Sequence, residues 1–260
     1  LVRPAIELAE GFEVGEQLAS SLRDARRSLE VFDATRSTFL PGGKPPAEGE
    51  TFRQPDLAHT LSRIRDSGVD GFYRGQTADL IVEEMRRGGG LIVLEDLASY
   101  SAVWRDPVSF QYRGYTLHSM PPPSSGGATM ALMAHIVEGY DVAELGWHST
   151  HMIHLLAESW KRAYSDRNQV LADPDYVDLP LSQMISREYG RDRSADISLT
   201  TATPSADVGP GLVVSEGSET THFSVVDEAG NAVAVTTTLN SLYGSKVTVE
   251  GAGFLLNNEM

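Results

Sequence analysis

The chain has 260 residues, of which 41% are hydrophobic, enough for one large domain or two small ones and too many for an intrinsically disordered protein. It carries 36 acidic and 21 basic residues, which gives a formal net charge of −15. This charge repels phosphate backbones and argues against a nucleic-acid partner. Because the sequence contains no cysteine, disulfides, thiol nucleophiles and thiolate metal ligands are excluded from these residues.

The sequence predicts no membrane span. No apolar run approaches the roughly 20 residues that a spanning helix needs. The first residues, Leu1 to Pro4, have neither an initiator methionine nor a basic-then-apolar signal pattern. A mature secreted protein and a trimmed chain would both begin in this way.

Three segments have the apolar spacing of amphipathic helices. The first opens at Pro55 and ends at Gly68, and the second ends at the glycines that start with Gly88. The third runs from about Thr150 towards Asp166. Its predicted buried side chains are Met152, Leu155, Leu156, Trp160 and Ala163.

Two β-hairpins are predicted between and after these helices. Apolar and polar residues alternate from Val108 to Tyr112, and the pattern breaks at Gly114 before a second extended run. Near the end of the chain, the β-prone runs Thr221 to Val226 and Ala232 to Thr238 flank a turn-rich connection, Asp227 to Asn231. That composition and spacing are typical of a hairpin.

Two groups of potential metal ligands are His148, His151 and His154, and Asp173, Asp175 and Asp178. On a helix, positions six residues apart are separated by about 240°, so the three histidines cannot share one face. The aspartates lack the glycine and the terminal glutamate of a calcium loop. The sequence therefore favours histidines at a helix start and a solvated acidic turn, and we predict no metal site.

The glycine-rich segments lack a catalytic signature. Ser124 to Gly127 fits neither the G-x-S-x-G nucleophile motif nor the P-loop, and it is typical of a strand-to-helix turn. Gly88 to Gly90 follows a helix instead of opening one, so it is not a dinucleotide fingerprint.

Thr220 is the strongest candidate nucleophile. It stands between the polar stretch 194–218, which is typical of an exposed linker, and the first strand of the second hairpin. A threonine that becomes the first residue of a chain gains its own α-amino group as a base. Spacing alone favours the plainer interpretation that Thr220 and Thr221 are β-branched strand residues.

Seven segments carry a family signature. Two are E-T-T-H-F-S-V-V-D-E-A-G-N-A-V-A-V-T-T-T-L-N-S-L-Y-G (Glu219 to Gly244) and G-F-L-L-N-N-E-M (Gly253 to Met260). Five lie upstream, namely Q-P-D-L-A-H-T-L (Gln54 to Leu61), G-F-Y-R-G (Gly71 to Gly75), E-D-L-A-S-Y (Glu95 to Tyr100), Y-R-G-Y (Tyr112 to Tyr115) and P-P-P-S-S-G-G (Pro121 to Gly127). In this order they resemble the large subunit and the start of the small subunit of the γ-glutamyltransferase family.

The resemblance implies a precursor that cuts itself between Glu219 and Thr220. Mature Thr220 would then attack a γ-glutamyl amide, and water or an amine or peptide acceptor would resolve the acyl-enzyme. Thr238 matches a second threonine that supports the nucleophile. Asn240 and Glu259 match residues that hold the α-amino end of the substrate. No cofactor is implied.

The resemblance also implies an α+β fold, the αββα four-layer sandwich of N-terminal-nucleophile hydrolases, incomplete in this chain. Residues 1–219 would be the C-terminal portion of the large subunit, and 220–260 the N-terminal portion of the small subunit, within one intertwined domain. The remaining part of the small subunit would then be a partner. The family suggests a periplasmic or secreted location, and a cytoplasmic one is also compatible with the sequence.

Some family features have no counterpart in this sequence. The arginine for the substrate carboxylate would precede Leu1, and the serine and glycine pairs around the oxyanion would follow Met260. We therefore expect the 260-residue chain alone to remain uncleaved and inactive. Thr237 occupies a position that is usually aromatic, which argues against strict glutathione specificity.

Three functions are compatible with these residues. The first is a γ-glutamyl hydrolase or transpeptidase that acts on glutathione-like amides. The second is a related enzyme with the same nucleophile, either a cephalosporin (glutaryl) acylase or a poly-γ-glutamate depolymerase. The third is a catalytically silent scaffold. The joint presence of the candidate residues Thr220, Thr238, Asn240 and Glu259 argues against the third.

Overall fold

The computed structural model describes residues 1–209 and 221–258, which form a mixture of helices and antiparallel strands. The strands are β1 (Phe12–Glu13), β2 (Thr51–Phe52), β3 (Val108–Tyr112), β4 (Tyr115–Ser119), β5 (Thr221–Val226) and β6 (Ala232–Thr237). Strand β1 pairs with β2, β3 with β4 and β5 with β6, which gives three two-stranded sheets within the described residues. This mixture agrees with the predicted α+β class.

The helices divide between two compact units, one comprising 1–102 and 221–258 and the other 103–209. The first unit contains α1 (Arg3–Glu10), α2 (Glu16–Asp24), α3 (Arg26–Leu29), α4 (Asp33–Phe39), α5 (Pro55–Ser67), α6 (Asp70–Tyr73), α7 (Gly75–Gly88), α8 (Leu94–Ser99) and a 3-10 turn, Pro41–Gly43. The second contains α9 (Gly126–Glu138), α10 (Val142–Leu145), α11 (Thr150–Val170), α12 (Leu181–Met184) and α13 (Arg187–Ser194). Within the described residues, none of these helices has both the length and the apolar character required to cross a membrane.

In the first unit, the segment after β6 packs into a core built by the N-terminal helices. The ring of Tyr243 lies 6.0 Å from that of Phe39, and its hydroxyl lies 2.8 Å from Ser21 Oγ. Val249 and Ala252 are fully buried. Their cluster is completed by Ala78, Ile81, Val82 and Leu97. This burial holds the end of the described chain firmly against its first hundred residues.

We call residues 243–256 the core loop. It folds back on itself as an irregular hairpin, because the Ser245 N–H donates to Leu256 O at 3.0 Å near its base. Its buried tip is held by a side chain of α5, since Thr60 Oγ1 donates to Ala252 O at 2.8 Å. The two ends of the core loop therefore emerge side by side.

In the second unit, the hairpin predicted from Val108 onward is confirmed as β3–β4, with Val108 opposite Ser119. Val108 and Phe110 are buried against Ala131 of α9. Helix α9 also packs against α11, α12 and α13. The buried residues at these contacts are Ala128, Leu132, Ile136, Ala163 and Met184.

The burial prediction for α11 is only partly correct. Leu155 and Ala163 are fully buried as predicted, but Leu156 is 37% and Trp160 is 53% exposed. These two line an open groove of about 470 Å³ along α9. The buried face of α11 also carries three charged side chains, Glu158, Arg162 and Asp166.

Candidate active site

The hairpin β5–β6 confirms the second strand prediction. Thr221 lies opposite Thr237, and the register runs without interruption to Val226 opposite Ala232. Asp227 closes the turn by accepting hydrogen bonds from the backbone N–H and the side-chain amide of Asn231, each at 2.8 Å. These bonds lower the pKa of the Asp227 carboxyl. The hairpin therefore has one continuous register, which ends at the pair Thr221 and Thr237.

Two of the predicted site residues, Thr238 and Asn240, are brought together directly beyond β6. The Asn240 N–H donates to Thr238 Oγ1 at 2.8 Å. Asn240 has a φ of +71°, in the left-handed region that asparagine tolerates better than most residues. The chain therefore turns at residues 238–240, directly after β6.

Sequence reasoning missed a second pair of residues, Ser241 and Asn258. The Ser241 N–H donates to Asn258 Oδ1 at 3.0 Å, and Asn258 Nδ2 donates to Ser241 Oγ at 2.6 Å. Asn240 Nδ2 lies 3.4 Å from the same Asn258 Oδ1. The Asn257-Asn258 pair within the family segment G-F-L-L-N-N-E-M was the available signal. We call Asn240, Ser241 and Asn258 the amide clasp.

His222 lies one residue beyond the start of β5 and is held on the hairpin surface. Its Nδ1 lies 2.7 Å from Thr236 Oγ1 across the strand pair, and its Nε2 lies 3.3 Å from Ser224 Oγ. Cross-strand partners share one face of a sheet. The ring is thus part of the polar face that continues from β6 towards Thr238.

Three predicted residues, Glu219, Thr220 and Glu259, lie outside the described residues. Their neighbours in the chain, Thr221 and Asn258, are described.

The two groups of potential metal ligands named from the sequence contact other protein residues. Arg105 Nη2 lies 2.6 Å from Asp175 Oδ2, and this bond lowers the pKa of Asp175. His154 Nε2 lies 2.8 Å from Ser198 O, while the ring of His148 stacks on Trp147. Within residues 1–209 and 221–258, no three His, Asp or Glu side chains converge as metal ligands.

The described groups of the candidate site are neutral hydroxyls and amides. A hydroxyl that accepts one hydrogen bond still carries a proton that it can donate, and a carboxamide oxygen accepts from N–H groups. Burial raises the pKa of Tyr243, partly offset by the contact with Ser21, so this phenol is neutral near neutral pH. Thr238 therefore supplies a hydroxyl, and Asn240 supplies a carboxamide oxygen that can accept a hydrogen bond from an N–H group.

Comparisons with known proteins agree on one family. The family model described as Gamma-glutamyltranspeptidase matches residues 1–260. The chain is 41% identical to "Glutathione hydrolase proenzyme" of Escherichia coli (strain K12), over 100% of this chain and 45% of that protein. The chain thus spans about half the length of the curated relatives it matches.

Two solved structures have the same chain path. The Helicobacter pylori gamma-glutamyltranspeptidase is 39% identical with a TM-score of 0.76, over 80% of this chain and 60% of that one. A cephalosporin acylase from Bacillus halodurans is 30% identical with a TM-score of 0.85, over 98% of this chain and 46% of that one.

Proposed function

Because the chain belongs to the gamma-glutamyltranspeptidase family, we propose that the whole protein cleaves glutathione-like γ-glutamyl amides and passes the γ-glutamyl group to water or to an amine or peptide acceptor. Thr220 is the proposed nucleophile. Thr238, Asn240 and Glu259 are the other site residues that this chain contributes. No cofactor is required, since an N-terminal threonine carries its own base.

The first reaction is cleavage of the precursor at Glu219–Thr220. Thr220 Oγ adds to the carbonyl carbon of Glu219, the C–N bond breaks, and the acyl group moves from nitrogen to oxygen. Water hydrolyses the resulting ester, which leaves a carboxylate on Glu219 and a free amine and hydroxyl on Thr220. An unperturbed α-amine has a pKa of about 7.7–8.0, so about a tenth to a sixth of it is free base at pH 7.

Turnover uses the same hydroxyl. The Thr220 amine accepts the hydroxyl proton as Oγ attacks the γ-carbonyl carbon, and that proton passes to the departing amine. The γ-glutamyl ester on Thr220 is then attacked by water or by an acceptor amine, which restores the free threonine. Thr238 is proposed to donate a hydrogen bond from its hydroxyl to Thr220 Oγ and so to orient the nucleophile.

The register of β5–β6 is the observation that carries this proposal. Because Thr221 lies opposite Thr237, the chain enters β5 at the end of the hairpin where it leaves β6 towards Thr238. Thr220, the residue before Thr221 in the sequence, is proposed to act at this same end. The contact between Thr238 and Asn240 supports a site built there.

Asn240 and Glu259 are proposed to bind the substrate's α-ammonium group. An ammonium has three N–H donors, which suit a carboxamide oxygen and a carboxylate. Glu259 directly follows Asn258, whose side chain lies 3.4 Å from Asn240 Nδ2. This proximity supports their action on one substrate group.

We further infer the αββα four-layer sandwich, with residues 1–219 from the large subunit and 220–260 from the small one in a single intertwined domain. Phe223 and Val225 of β5 are 49% and 56% exposed, and Val233 of β6 is 57% exposed. A lone two-stranded hairpin is marginally stable in water. The remaining part of the small subunit is therefore proposed to cover these strands as a partner. From the family resemblance, the location is proposed to be periplasmic or secreted.

A second candidate function is that of an acylase. The overlay with the cephalosporin acylase covers 98% of this chain, and Thr237 stands at a usually aromatic position. An acylase would prefer a glutaryl amide, which lacks the α-ammonium that Asn240 and Glu259 are proposed to bind. The ratio of kcat/KM for γ-glutamyl-p-nitroanilide to that for glutaryl-p-nitroanilide separates the two.

The deciding experiment is expression of the full-length precursor, followed by intact mass measurement and N-terminal sequencing. We expect a small subunit that begins at Thr220 and turnover of γ-glutamyl-p-nitroanilide. Thr220→Ala should leave the chain whole, and Thr220→Ser should retain some cleavage because the hydroxyl survives. A small subunit that begins elsewhere would overturn the assignment of Thr220. A precursor that stays whole and silent would favour the scaffold.

A further inference from the structure

We propose that Asn258 is a positioning residue for donor recognition, which acts by fixing Asn240 in the orientation that meets the substrate's α-ammonium. This inference rests on the proposed function. Asn258 itself is expected not to contact the substrate. It acts through its hydrogen bonds in the amide clasp.

The geometry ties the backbone on both sides of Asn240. Its own N–H donates to Thr238 Oγ1 at 2.8 Å, and the next N–H along the chain, that of Ser241, donates to Asn258 Oδ1 at 3.0 Å. Because both flanking peptide groups are held, the Cα–Cβ bond of Asn240 has a defined direction. Removal of the Asn258 carboxamide would release one of these two restraints.

Asn258 also restrains the Asn240 side chain. Asn240 Nδ2 lies 3.4 Å from Asn258 Oδ1 and 3.5 Å from Asn258 O. When the amide nitrogen of Asn240 faces Asn258, its carboxamide oxygen faces the other way. The clasp therefore selects the flip that presents an acceptor, which is the group an ammonium needs.

The core loop gives this clasp a rigid base. Asn258 follows the core loop, and its N–H donates to Leu239 O at 3.2 Å, directly before Asn240. The loop tip is buried through Val249 and Ala252, whereas the Asn258 side chain is exposed. A substitution at Asn258 therefore removes clasp hydrogen bonds without opening the core, so the fold should survive.

Asn258→Ala and Asn258→Asp in the full-length protein separate positioning from charge. The alanine loses every clasp hydrogen bond that the Asn258 side chain makes. The aspartate keeps an acceptor for the Ser241 N–H and a second oxygen within reach of the Ser241 hydroxyl, so it should largely rescue the clasp. Ser245→Ala is the matched control, because Ser245 Oγ donates to Leu256 O at 3.0 Å within the core loop and does not contact Asn240.

For Asn258→Ala we expect normal self-cleavage, kcat within about twofold and a KM for γ-glutamyl-p-nitroanilide raised about 5- to 10-fold, the loss of one to two neutral hydrogen bonds. Asn258→Asp and Ser245→Ala should keep KM within about twofold of the wild type. The effect should also disappear with glutaryl-p-nitroanilide, which has no α-ammonium. If that substrate turns over too slowly, its inhibition constant serves the same comparison.

The outcomes separate the inference from the function on which it rests. A wild-type precursor that neither cleaves itself nor turns over the γ-glutamyl substrate removes the proposed function. An active wild type with unchanged KM in Asn258→Ala overturns this inference alone. Equal losses with both substrates, or failed self-cleavage with a larger fall in Tm than for Ser245→Ala, would assign Asn258 a folding role and also overturn it.

Discussion

Arg162 Nη1 donates a hydrogen bond to Glu158 Oε2 at 2.6 Å across one turn of α11, and each side chain is only 1% exposed. The second carboxylate oxygen accepts from Lys161 Nζ at 2.6 Å and from the Thr203 N–H at 3.0 Å. Arg162 reaches Asp196 Oδ1 at 2.9 Å. The buried pair Glu158–Arg162 therefore has further hydrogen-bond partners on both its carboxylate and its guanidinium.

Glu158→Gln should destabilise the protein strongly, because it removes the buried negative charge beside Arg162 and leaves only the exposed Asp196 as a charged partner. Breaking a buried pair in this way typically costs about 3–5 kcal/mol. The free energy of unfolding, measured by urea denaturation, checks this value. Asp175→Asn is the matched control, since it breaks a 2.6 Å pair with Arg105 in which Asp175 is 53% exposed and should cost at most about 1 kcal/mol. Equal costs for the two variants would contradict the argument.

The same network predicts a loss of stability in acid. Burial by itself would raise the pKa of Glu158, but the hydrogen bonds from Lys161, Arg162 and Thr203 outweigh it and lower the pKa to about 2 from 4.5. A lowered carboxyl pKa stabilises the fold above about pH 4.5, and this contribution is lost as the pH falls towards about 2. We expect it to be at most about 3 kcal/mol. Denaturation midpoints across this range should fall more steeply for the wild type than for Glu158→Gln.

Local periodicity predicted the hairpins and the helix at Pro55 correctly, because each depends on residues close in sequence. It was wrong about Leu156 and Trp160. Leu156 and Trp160 line an open groove. The buried face of α11, which carries Leu155 and Ala163, also buries Glu158 and Arg162. The helical spacing of apolar residues assigns charged residues to the exposed face. It cannot predict that two charged residues are buried together as an ion pair.

Long-range contacts were beyond the reach of the sequence. The core loop has no helical or strand period, yet Thr60 Oγ1 bonds Ala252 O across 192 positions. The amide clasp likewise joins Ser241 to a residue 17 positions away. The family resemblance pointed to Thr238 and Asn240 as candidate site residues. A resemblance gives no side-chain contacts, so the contact of Asn258 with Asn240 became visible only in the structure.

Gly244→Ala should damage both stability and substrate binding. Gly244 has a φ of +52°, and a Cβ at this position would overlap the carbonyl oxygen of Leu256. The strained backbone and the displaced loop should together cost about 2–4 kcal/mol. Gly89→Ala is the control, because Gly89 also has a positive φ, +72°, but nothing within 4 Å of a Cβ. We expect the Tm to fall clearly further for Gly244→Ala, with KM raised in that variant alone. An equal fall in Tm for the two variants would show that the loop moves to remove the overlap with Leu256 O at little cost.

Thr238→Val should lower kcat, since valine has the shape of threonine without its hydroxyl. Loss of one polar group that acts on the reacting centre typically reduces the rate about 10²- to 10³-fold. Thr238→Ser keeps the hydroxyl, including the acceptor for the Asn240 N–H, and should stay within about tenfold of the wild type. Steady-state kinetics on the self-cleaved protein measures both. A valine variant as fast as the serine variant would remove Thr238 from the reaction.

Glu259→Ala should mainly weaken binding of the γ-glutamyl donor. Glu259 directly follows Asn258 of the amide clasp, and its carboxylate is proposed to pair with the substrate's α-ammonium. Loss of one charge-assisted contact costs about 1.5–3 kcal/mol, which corresponds to a KM raised roughly 10- to 150-fold. Glu259→Gln retains an acceptor without the charge, so its KM should lie between those of the wild type and the alanine variant.

The kinetics of Glu259→Ala also distinguish binding from catalysis. An interaction made equally in the ground state and in the transition state changes KM and leaves kcat in place. If kcat instead fell a thousandfold with KM unchanged, the carboxylate would act on the reacting centre, and its assignment to donor binding would be wrong. Glutaryl-p-nitroanilide, which has no ammonium, should be processed by Glu259→Ala and by the wild type at similar rates.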